Sequence, residues 1–461
     1  PPAIPEARRA AQLRAQSTLK QLTSAQAREL AAIEERLALA RTAHESGLDH
    51  ILGAAGAIVQ TEEAGFQVGL GPIDKFVERN RREQAAALHY LVLPDRLNII
   101  VTTRDKSTSH IVTEWQGEPF REARMNHEIA ELHKALSDPE LDPLPRSREL
   151  YDLLLAPVAE DLRQSDSRLL LLSLDKRLRY LPFGALNNGS RFLVQDYETS
   201  ILTNNGHEVT GLKVTGAPFA ALGMTQETVD FVALPGVAVE LDGIVKGEDG
   251  FGLFDGSVKM DAAFDRPALG AALQIGAPTP SGVGIVHVSS HFALGETDQD
   301  SFLLLGTGEH LTLNDIKLDR AAFDFEHVEL LTLSACTTGF ANPGRDGREI
   351  DSLAKITSDR GAKSTLASLW PVADSATAIL MQRFYELREL GDMSKAQALA
   401  YAQREFIDGL IGSPDHLRTR SVVFQTAVRT GERFQENASG IDLGFAHPFY
   451  WAPFVLTGNW R

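Results

Sequence analysis

Two residues that could perform nucleophilic chemistry follow apolar segments of the chain. His291 comes directly after GIVHVSS, and Cys336 comes directly after VELLTLSA. A cysteine attacks a carbonyl carbon as the thiolate, so it needs a nearby base or a positive charge. A histidine imidazole can accept that proton and return it near neutral pH. The pair therefore indicates covalent hydrolysis of an acyl bond, provided that the fold brings the two side chains together.

Each of these residues also has a structural interpretation. Free cysteine is most often a small buried residue, and the chain has 13 histidines, so one of them can lie near Cys336 by chance. His287 competes for the role of base, but its alternation with Ile285 predicts that it packs inside the strand. A zinc site made of His287 and His291 is excluded, because four residues of strand span about 13 Å.

The segments that must position these residues have the patterns of buried strands and amphipathic helices. Continuous apolar runs, typical of strands covered on both faces, occur at 168–174, 284–291 and 328–336, and a further strand is predicted over 192–202. Helical patterns occur over 119–137, 147–164, 237–245, 376–390 and 396–406. We predict an α/β fold with a mostly parallel sheet flanked by helices and an N-terminal helical segment. In such sheets, sites form beyond the carboxyl ends of strands, where His291 and Cys336 fall.

Composition limits the class of protein. The 461 residues include 45 Lys and Arg against 62 Asp and Glu, which gives a net charge of −17. An acidic surface repels phosphate backbones, so no nucleic-acid partner is expected. A single cysteine excludes an internal disulfide and a Cys-rich zinc site, and it favours a reducing, cytoplasmic location. The chain lacks a nucleotide-binding glycine motif and a long apolar stretch, so we expect no cofactor, no metal and no membrane contact.

An ordered series of segments resembles one family. Three segments resemble the CHAT family, caspase-like peptidases associated with tetratricopeptide repeats and related to separases and caspases: HVSSHFALGETDQDSFLLLGTGEHLTLNDI (287–316), LLTLSACTTG (330–339) and GREIDSLAKITSDRGAKSTLASLWPVADSATAILMQRFYELRELG (347–391). Two more resemble further parts of that family: RLRYLPFGALNNGSRFLVQDYETSIL (177–202) and HPFYWAPFVLTGNWR (447–461). The resemblance spans residues 86–461 and implies a caspase-like fold and cysteine endopeptidase activity.

The resemblance implies roles for four residues. The family's catalytic histidine falls on His291 and its nucleophile falls on Cys336, and the two act as a dyad. The backbone N–H groups of Phe292 and Cys336 are expected to bind the oxyanion; many relatives have glycine where Phe292 stands, but phenylalanine also carries an N–H donor. Asp374 falls where separases line their substrate pocket, which would suit a basic residue at the cleaved position. Its alternative role is to cap the helix predicted to begin near Ser375.

The resemblance, together with the sequence patterns, predicts the following domain organisation. Residues 1–85 are a helical segment that serves for docking or sensing, or that ends a repeat array. Residues 86–240 are a degenerate caspase-like lobe, and residues 241–461 are the active caspase-like lobe. The family implies a protein substrate and an activating protein partner bound through the N-terminal helices, often in bacterial defence or signalling. The alternative function is a catalytically inactive caspase-like scaffold that binds partners.

Overall fold

The computed structural model describes most of the chain from residue 84 onwards. The described residues are 84–202, 214, 216–248, 252–293, 295, 297–334, 356–372, 374–391, 393–409, 435–437, 440–442 and 445–461, together with Thr23 and Arg28. Nearly all of the predicted helical segment 1–85 therefore lies outside the described residues. The chain divides into two units, Pro1–Leu70 and Gly71–Arg461, and everything below concerns the second. Among the described residues, no helix has the length and apolar character needed to cross a membrane.

One large sheet dominates this unit. The strands, in chain order, are β1 (Ala85–Val92), β2 (Leu97–Thr102), β3 (Ser107–Val112), β4 (Glu114–Trp115), β5 (Glu118–Pro119), β6 (Leu169–Ser173), β7 (Glu198–Ile201), β8 (Phe219–Gly223), β9 (Gly256–Met260), β10 (Gly284–Ser289), β11 (Phe292–Ala293), β12 (Phe302–Leu304), β13 (His310–Thr312), β14 (Val328–Leu333), β15 (Ser364–Ser368), β16 (Gln435–Asn437), β17 (Gly440–Asp442) and β18 (Phe454–Gly458). Eleven of them form the sheet, in the order β3-β2-β1-β6-β7-β18-β15-β14-β10-β8-β9, and β11, β12 and β13 form a separate small sheet.

Nine of the eleven strands of the large sheet form two parallel sets that run in opposite directions, and β2 and β3 extend one edge by antiparallel pairing. One set is β1, β6, β7 and β18, and the other is β9, β8, β10, β14 and β15. The sets meet where β15 pairs antiparallel with β18, with Ser364 opposite Gly458. The predicted fold class, a mostly parallel sheet in an α/β protein, is confirmed. The sheet continues across residue 240, because β8 pairs with β10, and the division into lobes at that residue stays a prediction.

Helices flank the sheet. They are α1 (Glu122–Leu136), α2 (Leu144–Leu154), α3 (Ala159–Gln164), α4 (Gly236–Ile244), α5 (Arg266–Leu273), α6 (Leu313–Leu318), α7 (Asp374–Glu389), α8 (Lys395–Asp408) and α9 (Pro448–Trp451). The single helix predicted over 147–164 is interrupted by a 3-10 turn at Ala156–Val158, because Pro157 has no N–H to continue the helical bonds. The strand predicted over 192–202 is shorter than expected, since Leu193–Gln195 forms a 3-10 turn before β7.

Alternate residues of the central strands pack on opposite faces of the sheet. Ile285 of β10 and Leu330 of β14 belong to the core that includes α4, α7 and α8. Val286, Val288 and Leu331 belong to the core that includes α5 and α6. This alternation places the odd positions of β10, together with Leu330 and Thr332 of β14, on the face covered by α4 and α7. The register of β14 shifts between Val328 and Leu330, so the same parity does not hold before Leu330.

Candidate active site

The backbone at His291 is fixed by contacts to the small sheet. β10, whose six residues are all buried, ends two residues before His291 and lies between β8 and β14. The Ser290 hydroxyl donates to the Leu304 carbonyl at 2.6 Å, and the Leu304 N–H donates to the His291 carbonyl at 2.9 Å. The turn that follows the strand is thereby attached to β12.

The imidazole of His291 is held by a backbone carbonyl. The side chain is 8% exposed, and its Nε2 lies 2.9 Å from the carbonyl oxygen of Val232. A carbonyl can only accept a hydrogen bond, so Nε2 carries the proton and the lone pair of the neutral ring lies on Nδ1. The Phe231 ring packs against the imidazole, with 4.8 Å between the ring centroids. This arrangement orients the ring as a base and would stabilise the imidazolium that forms when Nδ1 accepts a proton.

Val232 belongs to a loop that is closed at its base. The Leu234 N–H donates to the Thr225 carbonyl at 3.1 Å, which closes the loop. The N–H and hydroxyl of Thr225 both donate to Oδ1 of Asp261, at 2.7 Å and 3.0 Å. Partial burial would raise the pKa of Asp261, but the hydrogen bonds from Thr225 and Gln226 outweigh it and hold the pKa below its usual range. The carboxylate of Asp261 therefore stabilises the base of the loop that carries the Val232 carbonyl.

We expect Asp261→Ala to loosen this loop. The charged hydrogen bonds to Thr225 would be lost, at a cost of about 1.5–3 kcal/mol in local opening free energy. Because the folded pKa is lowered, the stabilisation is complete above the ordinary aspartate pKa of about 3.9 and is lost as the pH falls below it. Amide hydrogen exchange at Leu234 measures the opening.

Asp261→Asn is the matched control. Asp261 has a φ of 48°, in the left-handed region that asparagine tolerates better than alanine. Asparagine also keeps an oxygen that can accept from Thr225. Equal exchange rates at Leu234 in the wild type and in Asp261→Ala would contradict the anchoring role.

The backbone N–H of Phe292 points away from β12. The bond from the Leu304 N–H to the His291 carbonyl makes that pair a hydrogen-bonded one, so the adjacent pair, Phe292 with Leu303, is not hydrogen-bonded across the ladder. The Phe292 side chain is 1% exposed and packs in the core beneath. The phenyl ring is therefore buried in the core, while the N–H of Phe292 points away from β12.

The remaining predicted residues are described only in part. Cys336 lies outside the described residues, but the strand that leads to it is described as far as Ser334, whose N–H donates to the Val288 carbonyl at 3.1 Å. Asp374 is the first residue of α7, and its side chain also lies outside what is described. His287 is fully buried, as its alternation in the strand predicts.

Two residues at this site escaped sequence reasoning. Val232 contributes a carbonyl oxygen, which every residue has, so its side chain gives no signal. Glu240 is 2% exposed on α4 and contacts the ends of both β10 and β14. A signal for Glu240 does exist, because it is the single acid in an otherwise apolar turn, VAVEL.

Comparison with known families identifies the chain. A family model described as CHAT domain matches residues 144–459. The chain belongs to the CHAT domain family. The predicted resemblance is therefore confirmed, and the CHAT domain extends from the start of α2 to the end of β18.

Two further comparisons concern individual proteins. The solved structure titled "Crystal structure of the Arg specific cysteine proteinase gingipain R (RGPB)" is similar over 73% of this chain and 74% of that chain, with a TM-score of 0.35 and 8% sequence identity. No curated protein matches the CHAT-domain chain in sequence.

Proposed function

We propose that this CHAT protein is a cysteine endopeptidase that hydrolyses peptide bonds with His291 and Cys336. The observation that carries the proposal is the imidazole of His291, which is held through Nε2 by the Val232 carbonyl so that Nδ1 is left as a base. Its position beyond the end of β10, next to the strand that leads to Cys336, supports the same conclusion. Membership of the CHAT family adds the expectation of peptidase chemistry.

The proposed reaction proceeds through an acyl-enzyme. Nδ1 of His291 accepts the proton of the Cys336 thiol, and the thiolate attacks the carbonyl carbon of the peptide bond. The C–N bond breaks as the imidazolium returns the proton to the leaving amine. Water, deprotonated by the same imidazole, then hydrolyses the thioester and regenerates the thiol. The backbone N–H groups of Phe292 and Cys336 would hold the oxyanion, which the orientation of the Phe292 N–H supports.

The substrate and regulation belong to the same proposal. Asp374 at the start of α7 would pair with an Arg or Lys side chain on the amino side of the cleaved bond. The N-terminal helices would bind an activating protein, and the single thiol would be kept reduced in the cytoplasm. These assignments rest on the sequence resemblance and on composition.

Labelling with an electrophilic peptide tests the dyad. We expect a peptide with a basic residue next to a thiol-reactive group to modify Cys336 at least about 100-fold faster in the wild type than in His291→Ala, the usual contribution of a positioned base. Intact-protein mass spectrometry measures the rate. His127→Ala is the matched control, because His127 is exposed on α1 and has no proposed part in the chemistry. Equal rates in the wild type and in His291→Ala would favour the inactive scaffold instead.

A further inference from the structure

A buried carboxylate lies beneath the ends of the two strands that lead to the dyad. The Ser289 hydroxyl donates to Oε2 of Glu240 at 2.6 Å. The Ser334 hydroxyl lies 2.7 Å from the Ser289 oxygen and 3.3 Å from the same carboxylate oxygen. A hydroxyl has one proton, so Ser334 donates chiefly to the nearer Ser289. The three side chains form a chain of hydrogen bonds that links β14, β10 and α4.

This chain continues into a wider buried network on the same face of the sheet. Oε1 of Glu240 lies 2.9 Å from Nε2 of His287 but is not aligned for a hydrogen bond. Nδ1 of His287 lies 3.0 Å from the Tyr385 hydroxyl, which lies 2.8 Å from the Thr332 hydroxyl. Burial raises the pKa of Tyr385, so the tyrosine stays protonated. Alternate positions of both strands are therefore polar where apolar residues would ordinarily fill a core.

The helix that carries Glu240 packs its side chains directly against Gly223 of β8. A Cβ atom at Gly223 of β8 would lie 2.6 Å from Val237 and 2.9 Å from Leu241. The side chains of α4 thus occupy the space that a side chain at residue 223 would need. The same segment of chain supplies the Val232 carbonyl to His291. It therefore contacts the imidazole through its loop and the strand ends through its helix.

Burial of a carboxylate in a protein core is energetically unfavourable. An ionised side chain loses its hydration on burial and stabilises the fold only when its hydrogen bonds replace that hydration. Glu240 accepts from Ser289, the last residue of β10, and is linked through it to Ser334, the residue that follows the end of β14. Ser289 precedes His291 by two residues, and Ser334 precedes Cys336 by two residues. The network thus holds the two strand ends at a set separation immediately before both proposed catalytic residues.

We infer that Glu240 is a positioning residue, which sets the separation of His291 and Cys336 through the hydroxyls of Ser289 and Ser334. The inference rests on the proposed function, because positioning has meaning only if the two residues act together. A network that served stability alone could end anywhere along the strands.

The test uses the reactivity of the single thiol. Cys336 is the only cysteine, so every alkylation by iodoacetamide reports on it. We expect Glu240→Leu and Ser334→Ala to move the pH of half-maximal alkylation upward and to slow alkylation at pH 6.5 by roughly three- to tenfold, as a thiol loses activation by its base. Glu240→Gln keeps an oxygen that accepts from Ser289, and we expect it to restore the wild-type profile to within about twofold.

A matched control separates positioning from stability. Ser147 on α2 is fully buried and donates its hydroxyl to the Ala185 carbonyl at 2.6 Å. Ser147→Ala should lower the thermal midpoint as Ser334→Ala does, because each loses a buried hydrogen bond, but it should leave the alkylation profile unchanged.

Two results would contradict the positioning role of Glu240, and a third would contradict the proposed function. If folded Ser334→Ala keeps the wild-type profile, Glu240 is not a positioning residue, and this variant decides the question even when Glu240→Leu does not fold. A Glu240→Gln profile that matches Glu240→Leu would also contradict the hydrogen-bond tether. If the wild type and His291→Ala have the same profile, the proposed function itself is wrong.

Discussion

Replacement of Cys336 by alanine is expected to abolish proteolysis by this CHAT protein. The variant lacks the sulfur that forms the acyl-enzyme in the proposed reaction, and removal of a catalytic nucleophile lowers turnover by a factor on the order of 10⁶. The measurement compares new protein N-termini in cells that carry the intact protein with those in cells that carry Cys336→Ala. The comparison is made in cells, so any protein that the proposed activity requires is present with both forms.

The same comparison of new N-termini shows which residue precedes the cleaved bond. Cleavage after Arg or Lys would support a carboxylate at Asp374 in the pocket, and Asp374→Asn should then reduce that preference. Cleavage after Asp would contradict the assignment, because two carboxylates would be forced together. Cleavage products that persist at the wild-type level in Cys336→Ala would contradict the dyad. Equal thermal midpoints for the wild type and Cys336→Ala ensure that a loss of cleavage is not a loss of folding.

The buried strands β6, β10 and β14 could be predicted from the sequence because burial on both faces leaves a local signal, whereas the mostly exposed β9 could not. The apolar run predicted at 168–174 forms β6 (Leu169–Ser173), and the run at 284–291 forms β10 (Gly284–Ser289). The antiparallel junction of β15 with β18 leaves no such signal. It pairs Ser364 with Gly458, and the composition of either segment does not reveal the partner.

The candidate site could be predicted only in part from the sequence. His291 has a side chain with its own chemistry, and it follows a recognisable strand, so its place beyond the carboxyl end of β10 could be anticipated. Its partner, the Val232 carbonyl, is a backbone group brought close by a loop. In the sequence, Glu240 is one acid in a short helix, and only the fold brings it next to Ser289 and Ser334. Sequence reasoning finds reactive side chains, but it does not find the groups that hold them.

The largest effect on stability is expected at Glu329, the second residue of β14. Its carboxylate lies 2.6 Å from the Lys395 ammonium and 2.8 Å from the Arg388 guanidinium, and all three side chains are buried. Burial would raise the pKa of Glu329, but the two cations outweigh burial and hold its pKa below the usual range. The group is therefore charged at neutral pH. It fastens α7 and α8 to the strand that leads to Cys336.

We expect Glu329→Gln to lower the free energy of unfolding by about 3–5 kcal/mol, because it leaves buried cations without their shared anion. Arg388 keeps Glu389, at 3.2 Å, whereas Lys395 has Glu329 as its single carboxylate partner among the described residues. Urea denaturation measures the change. Adding Lys395→Met should recover much of the loss, since no unpaired ammonium remains. The exposed pair of Glu160 with Arg163 supplies the control, and Glu160→Gln should change little. A Glu329→Gln protein as stable as the Glu160→Gln control would show that these buried charges do not hold the helices to β14.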